Sequence, residues 1–368
     1  MIIKSSQNRT KVMDSMCSLI GLAGAIVPSM SFGGTRIVKT RIILSLLSVV
    51  GLIALTGCDS SKPTAPSGEA MASLTLGTYE GDLSSLIWIA QDRGYFADHG
   101  LKVNVKLYES GVAAANDLVS GKVDFATAAD FVAACHILEG ADLRIIASLC
   151  NSADAIKLVA RKDHGITQIR DIRHKRIGVL RGSGGEFFLD LSLVVHNIPS
   201  EEVQKVNLQP SDQVKALAKA EIDATVTWDP FVTSIVNELG SNAAILPAQN
   251  GQGYYWLLLG TADGLKKRTR TVHDLVASLV SADTFLKKHR DEARIIVARK
   301  LGLSDLPSWE RTDFEVCIDH PLTLAMEAQI RWMNPSLAKR PSDTPNLLRF
   351  LYFDALKSVQ PQRIKMIY

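Results

Sequence analysis

The stretch AAANDLVSGKVDFATA, residues 113–128, decides the fold class. Residues 113–119 are predicted as a helix that stops before Gly121, and residues 125–128 as the strand that follows after a short turn. A helix followed so closely by an apolar strand is typical of a strand-helix-strand repeat, in which the strands are parallel and the crossovers right-handed. The stretch therefore predicts an α/β protein.

The same alternation continues on both sides of this stretch. Strands are predicted over residues 74–77, 101–107, 125–128, 143–148, 156–160, 176–180, 203–208, 224–227 and 257–259. Helices are predicted over residues 86–93, 113–119, 132–138, 166–172, 187–195 and 214–219, and then over 272–288, 293–301, 323–333 and 347–356. The strand at 257–259 is expected to be the last, with a helical region after it.

Two such series follow one another, which predicts two lobes, each a sheet flanked by helices. Lobe one is expected over residues 73–160 and lobe two over 161–254, and residues 255–368 are expected to return to lobe one and end in helices. Ligands of open α/β sheets bind beyond the carboxyl ends of the strands. A cleft between the lobes, closed by a hinge, is therefore the expected binding site.

Residues 1–57 have the layout of a secretory leader, with basic residues before an apolar run over 42–55. That run is shorter than the ~20 residues of a membrane-spanning helix. The segment LTGC, residues 55–58, resembles the lipobox of bacterial lipoproteins, which implies that Cys58 is acylated and becomes the first mature residue. The alternative is a chance cysteine behind a plain signal peptide. Met30 would make a normal start, so the first 29 residues are expected not to belong to the protein.

The leader also carries the positive charge. The whole chain has a formal charge of +3, and residues 1–57 hold six basic and one acidic side chain, which leaves −2 on the mature part. No basic surplus remains to favour nucleic acid as a partner. Residues 58–72 are rich in Ser, Pro, Ala and Gly and are expected to form a flexible tether.

Three cysteines remain after the leader and Cys58 are set aside. Cys135 and Cys150 could form a disulfide, but both have apolar neighbours, which favours buried free thiols. With Cys317 the number of cysteines is odd, so at least one thiol must be free. Neither a Cys-x-x-Cys motif nor a His/Cys cluster indicates a metal site, and no cofactor is expected.

Several segments, taken in order, resemble one family. They are GYF at 94–96 before HGLKV at 99–103, LVSGKVDF at 118–125, DIRHKRIGV at 171–179, LQPSD at 208–212, AEIDA at 220–224 and WDPF at 228–231. Together they are similar to the periplasmic substrate-binding proteins of nitrate, aliphatic-sulfonate, taurine and thiamine-precursor importers. The resemblance covers residues 74 to about 260. After residue 260 the chain resembles the family only in being predicted as helical.

The resemblance implies a type II periplasmic-binding-protein fold and a lipid-anchored subunit that delivers a small polar organic solute to the permease and ATPase of an ABC importer. It implies a periplasmic monomer, tethered through Cys58, with the inner membrane favoured. A periplasmic sensor for a membrane receptor is the first alternative. An enzyme like those of thiamine-pyrimidine synthesis is the second, but their cysteine-rich segment is absent, so no catalytic residue is assigned.

The candidate ligand-binding residues lie where predicted strands end. They are Tyr79, Glu80, Asp82, Ser110, Gly111, Asp130, Asn151, Gly182, Ser183, Gly184, Gly185, Glu186, Phe187, Trp228 and Asp229. Glycines let a ligand approach the backbone, helix N-termini attract anions, and Trp228 offers an apolar face. Ser110 and Asp130 are equally plausible as helix N-caps.

Glu186 leaves two hypotheses open. With Ser183 it forms Ser-x-x-Glu, the pattern of a capping box, in which it would only satisfy its own helix. If it faces the cleft, its charge would repel an anionic ligand. The second hypothesis predicts that the natural solute is not a simple oxyanion.

Overall fold

Two sheets organise the residues that the structure, a computed structural model, describes: 71–306, 308–334 and 344–366. Strands in chain order are β1 Ala72–Tyr79, β2 Leu101–Tyr108, β3 Phe125–Ala129, β4 Leu143–Ser152, β5 Lys157–Arg161, β6 Arg176–Val179, β7 Gln204–Asn207, β8 Ala224–Thr227, β9 Ala243–Pro247, β10 Tyr254–Thr261, β11 Thr312–Asp319 and β12 Ile364–Lys365. The predicted leader, Cys58 and most of the predicted tether lie outside the described residues.

Helices connect these strands. They are α1 Ser85–Asp92, α2 Tyr95–Asp98, α3 Gly111–Val119, α4 Asp130–Leu138, α5 Gly184–Val195, α6 Pro210–Ala218, α7 Phe231–Leu239, α8 Ala262–Lys267, α9 Thr269–Lys288, α10 Arg290–Leu301, α11 His320–Met333 and α12 Asp354–Val359. None of the helices in this part of the chain is long and apolar enough to cross a membrane.

The first sheet belongs to lobe one and has the order β12-β11-β4-β10-β3-β1-β2. β1 pairs in parallel with β2 and β3, whereas β10 runs antiparallel to β3 and β4. All five residues of β3 are buried, as expected for a central strand covered on both faces. The edge strand β2 instead alternates between covered and exposed residues.

The second sheet belongs to lobe two and has the order β7-β6-β8-β5-β9. Its strand β5 includes residues that we had assigned to lobe one, so the chain crosses to lobe two before Lys157 and not at residue 160. It returns between β9 and β10, close to the predicted position.

The region after residue 261 corrects one prediction. It was expected to be helical, but β11 and β12 pair at the edge of the first sheet. The predicted helix over 347–356 is a short 3-10 turn at Leu347–Phe350, followed by an extended residue and then by α12. The strand at 257–259 is therefore not the last.

The three described cysteines are free thiols, as the pattern of apolar neighbours favoured. Cys150 and Cys317 are buried and Cys135 is half-buried. Burial raises the pKa of Cys135 and of Cys317 to about 12, so both thiols stay protonated at neutral pH.

Candidate functional site

The carboxyl ends of strands from both lobes meet at one cleft. In lobe one, β1 leads into residues 80–84, β2 into the start of α3, and β3 into α4. In lobe two, β6 leads into α5, and β8 into Trp228 and Asp229. Two cavities lie in this cleft, and each has walls from both lobes.

The first, here called the aromatic cavity, encloses about 10 Å³, roughly the space of one water molecule. Lobe one lines it with Tyr79, Leu83, Ser110, Gly111, Val112, Ala129, Val132, Tyr254 and Trp256, and lobe two with Ser183 and Trp228. The rings of Tyr79 and Trp256 meet edge to face at 4.9 Å. A solute enters this cavity only if the lobes or the rings move apart.

Trp256 lines the aromatic cavity and carries a buried polar atom without a partner in the described part of the chain. Its side chain is buried, and its indole Nε1 has no hydrogen-bond partner among the described residues. A buried donor without a partner is costly to the folded state.

Two helix N-termini from opposite lobes border the same cavity. Ser110 caps α3, its Oγ accepting from the Ala113 N–H at 3.3 Å. Gly111 has no room for a side chain, since an added Cβ would lie 2.8 Å from both Ala128 Cα and the Trp256 ring. Ser183 stands before α5 across the cleft. Unpaired N–H groups at helix starts favour an acceptor or anion between them.

The second, here called the acidic cavity, encloses about 100 Å³. It is lined by Glu80, Gly81, Asp82, Asp229, Pro230, Leu301, Leu303 and Leu306. Tyr79 connects the two cavities, because its ring lines the first and its hydroxyl donates to Asp82 Oδ1 at 2.9 Å.

Asp82 and Asp229 lie on opposite lobes and are both buried. Burial, and then the charge of Asp229, raise the pKa of Asp82 to about 6. Asp229 is held by the start of α7, since its Oδ1 accepts from the backbone N–H and the hydroxyl of Thr233 at 3.1 and 2.7 Å.

The structure brings eight of the fifteen predicted ligand-binding residues to these cavities. Tyr79, Ser110, Gly111, Ser183 and Trp228 line the aromatic cavity, and Glu80, Asp82 and Asp229 line the acidic one. The other seven do not line either cavity.

Glu186 is held within its own loop. Its Oε2 accepts from the Gly182 N–H at 2.9 Å, while the Ser183 hydroxyl donates to the Leu180 carbonyl instead of capping the helix. The predicted capping box is therefore not formed as such, although Glu186 does serve the helix start. The structure therefore does not support the hypothesis that the Glu186 charge faces the cleft and repels an anionic ligand.

Gly184 and Phe187 make contacts between the lobes. A Cβ added to Gly184 would lie 2.3 Å from the Tyr254 ring of lobe one. Phe187 stacks on Phe131 with ring centroids 5.4 Å apart and meets Trp332 edge on at 5.6 Å. Gly185 packs against its own lobe, where an added Cβ would lie 3.0 Å from the Val226 carbonyl oxygen.

Asp130 and Asn151 lie outside both cavities. Asp130 is fully buried, with Oδ1 accepting from the Phe131 N–H at 2.9 Å and Oδ2 from Gln329 Nε2 at 2.8 Å. Burial raises the pKa of its carboxyl to about 7. The Asn151 side chain lies against Gly253, on the segment that returns from lobe two.

Sequence reasoning missed the other lining residues. The aromatic run YYW at 254–256 was a usable signal, because it stands where the chain was expected to return to lobe one. Nothing local indicated Leu301, Leu303 and Leu306. They reach the acidic cavity because α10 packs on α1, which follows the loop carrying Asp82.

Comparison with known proteins agrees with this fold. The chain matches the NMT1/THI5-like family over residues 84–293, more than half its length, and it belongs to that family. A Bacillus subtilis (strain 168) protein with the provisional name of aliphatic sulfonates-binding protein is 25% identical over 52% of this chain and 57% of its own length.

Comparison with solved structures shows which fold this chain has. The alkanesulfonate-binding protein SsuA of Xanthomonas axonopodis pv. citri, bound to MOPS, superposes with a TM-score of 0.61 at 20% identity, over 78% of this chain and 99% of its own. The nitrate-binding protein NrtA of Synechocystis PCC 6803 gives 0.58 at 12% identity, over 79% and 89%. The predicted periplasmic-binding-protein fold is confirmed. These neighbours are binding proteins and not enzymes, in line with the expectation for this chain.

Proposed function

We propose that this chain is the solute-binding subunit of an ABC importer, which captures a small polar organic solute in the cleft between its lobes and delivers it to the permease. One observation carries the proposal: the aromatic cavity has walls from both lobes and a helix start from each of them. A ligand in such a site contacts both lobes only when the cleft is closed, so its binding favours the closed form. The family and the names of the relatives support the same class.

The proposal places the protein in the periplasm as a monomer, held to the membrane only through acylated Cys58. The leader layout and the lipobox support this location. Cys58→Ala should release the protein from the membrane fraction of an expressing bacterial host. If the variant stays as membrane-bound as the unmutated chain, the anchor is not at Cys58.

The binding proposal is tested by a stability screen of the purified full chain. A solute that binds the folded state alone adds RT ln(1 + [L]/Kd) to the free energy of unfolding, about 2.7 kcal/mol at a hundredfold excess over Kd. Alkanesulfonates, nitrate, pyrimidines and amines are compared by melting temperature. We expect a saturable rise with one class and no turnover. Turnover of a solute without stabilisation would favour an enzyme instead.

A further inference from the structure

The acidic cavity holds a feature that capture of a solute in general does not require. Two carboxylates from opposite lobes, Asp82 at 5% and Asp229 at 6% exposure, line one space of about 100 Å³. This space is about ten times that of the aromatic cavity, enough for several waters or a small ammonium group. Leu301, Leu303 and Leu306 form an apolar wall beside the carboxylates.

In the part of the chain that the structure describes, no cationic side chain neutralises this pair. Among the described residues neither Asp82 nor Asp229 forms an ion pair with Lys, Arg or His. Lys300 precedes the leucine wall, but its ammonium lies over the Trp88 ring, 5.2 Å from the centroid. Neutral groups contact the two carboxylates: the Tyr79 hydroxyl and the Leu83 N–H at Asp82, the Cys150 thiol near it, and Thr233 at Asp229. The one other charged group among the described residues that line the cavity is the exposed carboxylate of Glu80, which adds negative charge.

Closure therefore brings two like charges together in a place with little water. Like charges repel one another more strongly where little water screens them. A cation placed between the carboxylates reverses the sign of that contribution, because it attracts both. The pair would then oppose closure of the empty cleft and favour closure of a filled one.

We infer that the transported solute carries a cationic group, such as a protonated amine or amidine, that lies between Asp82 and Asp229. This rests on the proposed function. The other end of the solute is a hydrogen-bond acceptor, because two helix starts, at Ser110 and Ser183, border the aromatic cavity next to it. The leucine wall suits a short apolar stem beside the cationic group.

The test uses the full chain and ethylammonium chloride as the probe, titrated against sodium chloride at equal ionic strength. We expect ethylammonium to raise the melting temperature saturably in the unmutated chain. Asp229→Asn keeps the oxygen that accepts from Thr233 but removes the charge, and should weaken the probe by at least about tenfold. Asp82→Asn is the second variant, should the first fold poorly.

Asp212→Asn is the matched control, since it removes one exposed carboxylate of the same lobe that lines neither cavity. It should bind the probe like the unmutated chain. The inference is overturned if ethylammonium gives no more than sodium in the unmutated chain, or if both cavity variants keep its full effect.

A second arm separates this inference from the proposed function. Propanesulfonate is compared with 3-aminopropanesulfonate on the unmutated chain and on Asp229→Asn. Tighter binding of the amino compound, lost in the variant, supports the inference. Equal or tighter binding of plain propanesulfonate would retain the solute-binding function and reject the cationic subsite.

Discussion

At the scale of single residues, Asp130 shows how burial links structure to pH. Its carboxyl has a pKa of about 7 in the folded protein, against 3.8 ordinarily. Between these values the folded state binds a proton that the unfolded chain has released, so this residue's contribution to stability falls as pH rises from about 4 to about 7. Above that range the loss is complete.

We therefore expect Asp130→Asn to raise the free energy of unfolding at about pH 8 by at least about 1 kcal/mol, and to raise it less at about pH 5. Asparagine still accepts from the Phe131 N–H. After an amide rotation of Gln329, it can also donate to Gln329 Oε1, which has no partner among the described residues. Urea unfolding at the two pH values measures the difference. An equal effect at both would contradict the argument.

Glu186 gives the second residue-scale prediction. Because its carboxylate serves the Gly182 N–H at the start of α5, Glu186→Gln should cost less than about 1 kcal/mol of stability, the usual size of a charge effect at a helix start. Affinity for the solute found in the stability screen should not change. A tenfold loss of affinity without loss of stability would return Glu186 to the binding site.

At the scale of secondary-structure elements, the hinge depends on one side chain. Buried Gln249 lies on the segment that returns to lobe one. Its Nε2 donates to the carbonyls of Ser152 and Gln252 at 2.8 Å, and its Oε1 accepts from the Ile156 N–H at 2.9 Å. Gln249 thus joins the outgoing and returning segments.

Gln249→Met keeps the approximate volume and removes all three hydrogen bonds. We expect a loss of about 2–4 kcal/mol, since buried backbone groups are left without partners. The same change at exposed Gln252 is the control, because there the backbone makes the bonds to Gln249: its carbonyl accepts from Gln249 Nε2 and its N–H donates to the Gln249 carbonyl. Urea unfolding measures the free energy of unfolding of both variants. Equal stability of the two would show that the hinge does not depend on this side chain.

Elements with a strong local period were predictable and those fixed by long-range packing were not. The repeat over 113–128 and its neighbours predicted β3, α3 and most of both lobes. The strand β11 was missed although buried Phe314, Val316 and Ile318 alternate with less buried residues, because helical patterns stand on either side of it. The helix α7 was left unassigned although Val232 and Ile235 have helical spacing and lie buried.

Some residues of the candidate site could likewise be predicted from the sequence, and others could not. Residues at strand ends, such as Tyr79, Ser110 and Trp228, could be named because strand ends mark clefts. That Asp82 would face Asp229 across the lobes depends on how two sheets are oriented, which no local pattern encodes. The same holds for the three leucines that α10 and the segment after it bring to the acidic cavity.

At the scale of the whole molecule, two kinds of contact hold the cleft closed. Aromatic packing joins Phe187 of lobe two to Phe131 of lobe one, and the Glu109 carboxylate accepts from the Ser211 N–H at 3.4 Å across the cleft. The carboxylates of Asp82 and Asp229 oppose them. A solute shifts this balance only by the difference between its affinities for the closed and the open forms.

Gly184 tests whether closure is needed for binding. Its φ is ordinary, so alanine fits the backbone of α5, but the new Cβ would lie 2.3 Å from Tyr254 Cε2 on the other lobe. Gly184→Ala should therefore leave each lobe folded and push the lobes apart. We expect a larger radius of gyration by X-ray scattering, an unchanged far-ultraviolet circular dichroism spectrum, and solute affinity reduced by at least about tenfold.

Shortening the opposing side chain is the control for that steric argument. In the double variant Gly184→Ala with Tyr254→Leu, the clash is relieved, so the radius of gyration should return toward that of the unmutated chain. Tyr254→Leu alone reports what the lost ring contributes to binding, and the double-mutant cycle isolates the contact between the two positions. If Gly184→Ala alone keeps the compact form and full affinity, the two lobes do not have to meet at Gly184 and Tyr254 for a solute to be held.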